Sequence, residues 1–291
     1  MKRFADSERK PRGALVWALL ALGTFAATIM VLALAAGIYG ALVPPADCVG
    51  VIRLEGEIVA GSSAGGIFSG QLAGSDDFVA LVGDAKERGE VKAVLIEINT
   101  PGGSAVGTSE MYSSVKELGK PTVSYFREVA ASGGYYVAAG TDYIVSDPDC
   151  ITGSIGARST AQDLSGLFQK IGYNSTVIAS GAHKDMGDPS RPMDEEEIAI
   201  MQSIVDEVFQ EFRATVEEGR RGKLDSAEFS EVLDGRIVTG RQAKAIGLVD
   251  ELGNRKAALR KAAALGNVTY SGDSPPVCEI TGNRVFPSPI L

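Results

Sequence analysis

Glu128-Val129-Ala130-Ala131-Ser132-Gly133-Gly134-Tyr135-Tyr136 carries a single serine among small residues, at a point where the pattern of the chain changes. Upstream, Thr122-Val123-Ser124-Tyr125-Phe126 is β-branched and aromatic and reads as a strand. Downstream, Tyr135 to Ala139 reads as a short apolar helix. Ser132 therefore falls at a strand-to-helix junction. The two glycines after it let the backbone turn sharply and leave the hydroxyl uncrowded, and the first free N–H groups of the helix place partial positive charge beside it. These are surroundings that suit a nucleophile, although the same small residues also serve plain packing of a helix on a sheet.

Working outward, Val91 to Ile98 is mostly apolar, as a central parallel strand should be. The loop after it, Asn99-Thr100-Pro101-Gly102-Gly103-Ser104, opens a helix with Met111, Val115 and Leu118 on one face. A Pro-Gly-Gly turn at the carboxyl end of a strand presents backbone N–H groups, which makes Gly102 and Gly103 candidates for holding an anion or oxyanion. Earlier in the chain, Val49 to Val59 reads as an opening strand, Ala60 to Ser75 as a mobile Gly/Ser-rich loop, and Asp76 to Arg88 as a helix. Later come a strand at Tyr143 to Ser146, the turn Thr152-Gly153-Ser154-Ile155-Gly156, a helix at Asp163 to Ile171 and a strand at Tyr173 to Ala179.

A long helix is expected from Asp194, which can form a capping box with Glu197. Its apolar stripe of Ile198, Met201, Val205, Val208, Phe212 and Val216 suits the core or a subunit contact. Further helices are predicted at Asp225 to Leu233 and up to Leu265, and the tail from Asn267, rich in Pro, Ser, Gly and Thr, is expected to be flexible. Alternating strands and helices of these lengths predict an α/β fold with a largely parallel sheet and right-handed crossovers, with active groups at its carboxyl edge.

The chain has 291 residues, 45% of them hydrophobic, enough for one well-buried domain and an appendage. The appendage is Ala14 to Val43, thirty residues without a charge, preceded by Lys2, Arg3, Arg9, Lys10 and Arg12. Roughly 20 apolar residues cross a bilayer, and the apolar run of a signal peptide is usually about 7–15 residues. An uncleaved anchor is expected, with residues 1–13 cytoplasmic and everything after Pro44 outside. Pro45-Ala46-Asp47 before Cys48 is unlike a lipidation site.

Of 28 basic and 37 acidic residues, five and two lie before residue 14, so the remainder is acidic by 12 and would be repelled by nucleic acid. Cys48, Cys150 and Cys278 are far apart and lack CxxC pairing, so no metal site or cofactor is expected. One disulfide is compatible with an extracytoplasmic location, and spacing does not choose the pair.

A nucleophilic serine needs a base. The chain has one histidine, His183, followed by Lys184 in Ser180-Gly181-Ala182-His183-Lys184-Asp185. In an extended segment adjacent side chains point to opposite faces, so only one of the two can reach Ser132, and spacing leaves the choice open. A Ser/Lys pair is a known variant of triad chemistry.

These stretches, in this order and with Asp234-Gly235-Arg236 and Gly247-Leu248-Val249-Asp250, resemble the signal peptide peptidase A family of membrane serine proteases, of the Clp/crotonase fold with its repeated ββα units. The resemblance covers about Val49 to Leu265 and makes residues 49–265 a peptidase domain, with 14–43 as transmembrane anchor and 266–291 as flexible tail. It implies Ser132 as nucleophile and Lys184 as general base. It also implies Ser154 as the residue that orients the lysine, and an oxyanion hole from the Gly102/Gly103 loop and the Ser132 amide. A dome-shaped homo-oligomer is implied too. With one catalytic repeat the chain looks like the short form, in which neighbouring subunits share each site. The activity implied is ATP-independent cleavage of short hydrophobic peptides, such as spent signal peptides, outside the cytoplasm. The same fold hosts acyl-CoA hydratases and hydrolases, and a noncatalytic membrane scaffold is the remaining alternative.

Overall fold

A computed structural model describes residues 12–42, 46–63 and 72–281. The chain divides into two units, 1–46 and 47–291. The first contains α1 (Arg12–Leu42), 31 residues whose described apolar side chains, among them Trp17, Leu22 and Phe25, are exposed. Side chains are described without a break only over 19–35, and among the described residues no helix is long and apolar enough to cross a membrane. The expected cytoplasmic segment 1–13 lies almost wholly outside the described residues.

The second unit runs β1 (Cys48–Glu55), β2 (Glu57–Val59), β3 (Leu72–Gly74), α2 (Ser75–Glu87), β4 (Val91–Thr100), α3 (Ala105–Lys116), β5 (Thr122–Ala131), α4 (Gly133–Ala139), β6 (Tyr143–Ser146) and β7 (Ile151–Gly153). It continues with α5 (Ser165–Ile171), α6 (Glu195–Gly219), α7 (Ser226–Glu231), β8 (Ile237–Thr239), α8 (Gly240–Ile246), β9 (Glu251–Leu252), α9 (Arg255–Leu265) and β10 (Val277–Glu279). The main sheet follows the order β10-β1-β4-β5-β6-β9, parallel throughout, with β7 parallel to the end of β5 and antiparallel to β8.

β4 is apolar at nearly every position because both faces of the sheet are covered. Val94, Ile96 and Ile98 enter the larger core with Phe78, Met111 and Tyr135, whereas Ala93 and Leu95 meet Ala258, Leu259 and Ala262 of α9. Each such side chain contributes about 1.5–3 kcal/mol on burial. The opening strand breaks at Gly56, where φ is 90°, and β2 pairs separately with β3. Around the Gly/Ser-rich loop, Gly61 N–H donates to Ser75 Oγ (3.0 Å) and Ser63 N–H to Asp77 Oδ2 (2.8 Å). Residues 64–71 of that loop lie outside the described residues. The α6 cap is the predicted box of Asp194 and Glu197. Phe212 and Val216 are buried, while Ile198 and Ile204 at the other end are exposed.

Two expectations are corrected. Tyr173 to Ala179 is not a strand: the segment is exposed, with Ile178 at 95%, and it joins no ladder. Its β-branched pattern suits a pleated surface, but a strand exists only where a neighbour accepts its hydrogen bonds, and no described strand lies beside it. The tail, in turn, is built into the fold as far as residue 281. β10 adds to the edge of β1, and Cys278 forms a disulfide with buried Cys48 (Cα–Cα 5.8 Å). A covalent link and a ladder hold a segment that has no apolar periodicity of its own. Residues 282–291 lie outside the described residues.

Candidate active site

β5 delivers Ser132 to the carboxyl edge of the sheet, where the chain must turn directly into α4. The turn puts Ser132 at φ 53°, ψ −120°, a conformation that costs a non-glycine residue about 1–3 kcal/mol and persists only when its surroundings enforce it. Here the enforcement is visible. Ser132 N–H donates to Gly153 O on β7 (2.9 Å), and Ser132 O accepts from Tyr136 N–H in the first turn of α4 (3.0 Å). The glycines after it are required by packing. A Cβ on Gly133 would lie 2.4 Å from Thr108 Oγ1 on α3, and one on Gly134 would lie 2.6 Å from Thr100 Cγ2 on β4.

The Pro101-Gly102-Gly103 loop closes over the same point. Gly102 has φ 100°, and a Cβ there would fall 2.7 Å from both Ser132 Cβ and Gly133 N. Gly103 lies against β2, where Ile58 N–H donates to Gly102 O and Ser104 N–H to Ile58 O (both 2.8 Å). The serine is thus touched by the loop that sequence reading singled out as an anion cradle.

Accounting for the backbone donors corrects the predicted oxyanion hole. The Ser132 amide is committed to Gly153 O, and Gly102 N–H donates to Thr100 Oγ1 (3.0 Å) in a buried bond. Neither is free to receive a developing negative charge. The amides of Gly103 and Gly133 have no acceptor among the described residues, and both belong to the segments that flank the serine. Gly103 belongs to the loop singled out from sequence, and Gly133 is the first residue of α4. A signal for Gly133 was present: as the first helical residue it has no intrahelical acceptor.

Ser154 follows β7 as Ser132 follows β5: the register of the two strands ends with Ala131 opposite Gly153, and each serine is the residue just after its strand. Ser154 also has positive φ, 51°, and its N–H donates to Arg236 O (2.9 Å). The Asp234-Gly235-Arg236 motif is thereby explained as backing for Ser154, with Arg236 held by an exposed ion pair to Asp234 (2.8 Å).

Lys184 lies at the chain's surface. It sits in a turn where its N–H donates to Gly181 O (3.2 Å), and its side chain is exposed, with no hydrogen bond or ion pair among the described residues. None of the described hydrogen bonds joins it to Ser132 or Ser154. His183 Nε2 faces Glu196 Oε1 at 3.6 Å, also at the surface. The following residue, Asp185, is paired with Arg191, whose hydrogen bonds hold the Asp185 and Glu197 carboxyls below the usual carboxylate range. Among the described residues no group of His, Cys, Asp and Glu could hold a metal ion.

Residues 114–269, which include Ser132, Ser154 and Lys184, match peptidase family S49. The chain belongs to that family. Among its relatives are a candidate protease of Methanocaldococcus jannaschii, 38% identical over 70% of this chain and 66% of the relative, and a candidate signal peptide peptidase SppA of Enterococcus faecium, 35% identical over 69% and 59%. The chloroplastic serine protease SPPA of Arabidopsis thaliana is 32% identical over 76% of this chain and 33% of its own length. The chain thus spans between a third and two thirds of these relatives. The fold is that of a membrane-bound stomatin-specific protease, the K138A mutant of 1510-N solved with a substrate peptide. The TM-score is 0.50 at 18% identity, covering 81% of this chain and 93% of that one. With that membership go the mixed α/β fold and largely parallel sheet described above.

Proposed function

We propose that the protein is a membrane-anchored serine endopeptidase that uses Ser132 and Lys184 to cleave short hydrophobic peptides, such as spent signal peptides, outside the cytoplasm. The observation that carries this reading is Ser132 itself, held at φ 53° and flanked by segments whose Gly103 and Gly133 amides have no acceptor among the described residues. In the proposed reaction the neutral Lys184 amine takes the Ser132 proton as Oγ attacks the scissile carbonyl, and the two amides receive the oxyanion. The protonated lysine then gives its proton to the departing amine. Water, deprotonated by the same base, releases the acyl group and restores the serine. Ser154, which follows β7 as Ser132 follows β5, is proposed to hold the lysine amine in place.

Lys184, exposed and without a side-chain partner among the described residues, supports a homo-oligomer in which one copy supplies the serine and another the lysine. The Cys48–Cys278 disulfide supports an oxidising location, and the uncharged run Ala14 to Val43 within and just beyond α1 supports a single-pass anchor. The test is a set of variants assayed on a hydrophobic fluorogenic peptide. Ser132→Ala and Lys184→Ala should each lose several orders of magnitude in rate, while His183→Ala keeps most of it. Activity in Lys184→Ala together with its loss in His183→Ala would overturn the dyad.

A further inference from the structure

Lys184 is presented by a turn whose two neighbouring side chains are both tied to the first turn of α6, while its own amine is left unengaged. On one side His183 faces Glu196 at 3.6 Å. On the other, Asp185 receives two hydrogen bonds from Arg191, from Nε to Oδ2 (3.1 Å) and from Nη2 to Oδ1 (2.9 Å). The same guanidinium donates to Glu197, from Nη1 to Oε2 (2.8 Å) and from Nη2 to Oε1 (2.5 Å). Nη1 donates in addition to Pro192 O (3.2 Å). Glu197 is 1% exposed and is itself fixed as the partner of Asp194 in the α6 capping box, where its N–H donates to Asp194 Oδ1 (2.8 Å) and its Oε2 accepts from Asp194 N–H (3.1 Å).

The chain around Lys184 has little else to hold it. Residues 173–184 are exposed and form no ladder or helix. A surface segment with few buried contacts samples many geometries unless specific bonds restrict it. A planar guanidinium can grip two carboxylates at once, each through two donors, which an ammonium cannot do.

We infer that Arg191 is a positioning residue for Lys184, clamping Asp185 onto Glu197 at the start of α6 so that the turn presents the lysine amine in one geometry. The inference rests on the Ser132/Lys184 reading above. The clamp touches no reacting atom and acts only through the turn. Misplacing a catalytic group by about 1 Å can cost on the order of 10²-fold in rate.

The experiment uses full-length protein in detergent, with kcat, KM, Tm and the rate of Ser132 labelling by a fluorophosphonate as readouts. Arg191→Ala should lower kcat and the labelling rate on the order of 10²-fold with KM within a few-fold of wild type, and Arg191→Lys should recover only part. Asp185→Asn guards against a folding defect, because it frees the turn while leaving the Arg191–Glu197 pair and the α6 cap intact. It should keep the wild-type Tm and still lose kcat. The double variant should be no worse than Arg191→Ala, as expected for residues acting as one unit. Wild-type kcat in Asp185→Asn, or losses in the two single variants that multiply in the double, would overturn the clamp. Lys184→Ala separates the two ideas. If it is dead while Asp185→Asn and Arg191→Ala are fully active, the clamp alone fails; if it is active, the dyad fails.

Discussion

Replacing Cys48 and Cys278 together by serine removes the link between the first strand of the 47–291 unit and its last described strand. β10 is three residues long and pairs only with β1, through Val49↔Val277, Gly50↔Cys278 and Val51↔Glu279. Its other ties include Val49 N–H to Pro276 O (2.9 Å), Ile280 N–H to Val51 O (3.2 Å), Arg88 Nη1 to Glu279 O (3.3 Å) and the half-exposed Arg53–Glu279 ion pair (3.1 Å). The bridge spans a sequence separation of 230, so it closes almost the entire unit into one loop. The loop-closure relation puts its effect on the unfolded chain at about 5 kcal/mol at 25 °C. For a unit of this size each kcal/mol shifts Tm by about 2–4 °C, so the double variant should melt roughly 10–20 °C below wild type.

Circular dichroism melts of wild type, wild type with reductant and the double variant measure this, with intact mass confirming the thiol state. Hydrogen exchange adds a local readout, since the Val49 amide should lose protection once β10 is free to leave. A Tm within about 3 °C of wild type in fully reduced protein would refute the reasoning. It would mean that β10 detaches on its own before the unit unfolds and that the ring constrains nothing global.

Gly102→Ala should cost at least about 10²-fold in kcat with the fold kept, because its Cβ would sit 2.7 Å from Ser132 Cβ and Gly133 N; activity within a few-fold of wild type would show that the loop yields. Arg220 is 1% exposed and donates to Asp250 (2.7 Å) and Gly247 O (2.8 Å), so Arg220→Met should destabilise by about 1–3 kcal/mol, read from urea unfolding, because Asp250 keeps Lys223 (2.9 Å) whereas Gly247 O loses its donor. Burial raises the Asp250 carboxyl, but hydrogen bonds from Arg220 and Lys223 outweigh it and hold it below the usual range. The stability it supplies is therefore present above the unfolded value of about 3.9 and lost as pH falls through the lower folded value, so Asp250→Asn should flatten Tm against pH at the acid end. Burial pushes the Cys150 thiol up to about 12, so native protein at pH 8 should resist iodoacetamide at that position and react on unfolding; rapid native labelling would contradict the buried placement.

The junction at Ser132, the apolar β4, the Asp194/Glu197 box and the end of α9 at Leu265 could all be read from the chain, because each depends on residues within a few positions of one another. Alternation, a cap or a pair of glycines carries its own geometry. The Gly102/Gly103 loop was legible for the same reason, and its closeness to Ser132 follows from both lying at the carboxyl edge of neighbouring strands. The amides were not legible. Whether Ser132 N–H is free depends on the register of β5 against β7, which places Gly153 O opposite it. Tyr173 to Ala179 has the composition of a strand and no strand beside it, and Val277 to Glu279 lacks a strong pattern yet pairs with β1, because a ladder needs two partners and only folding decides which segments meet. The clamp from Asp185 through Arg191 to Glu197 lies within a dozen residues, but it needed the turn and the start of α6 to face each other. Sequence by itself determined the local elements and the strand-to-helix junction that carries Ser132. Tertiary structure decided which amides stay free and which cysteines join, since those depend on contacts between residues that chain distance does not bring together.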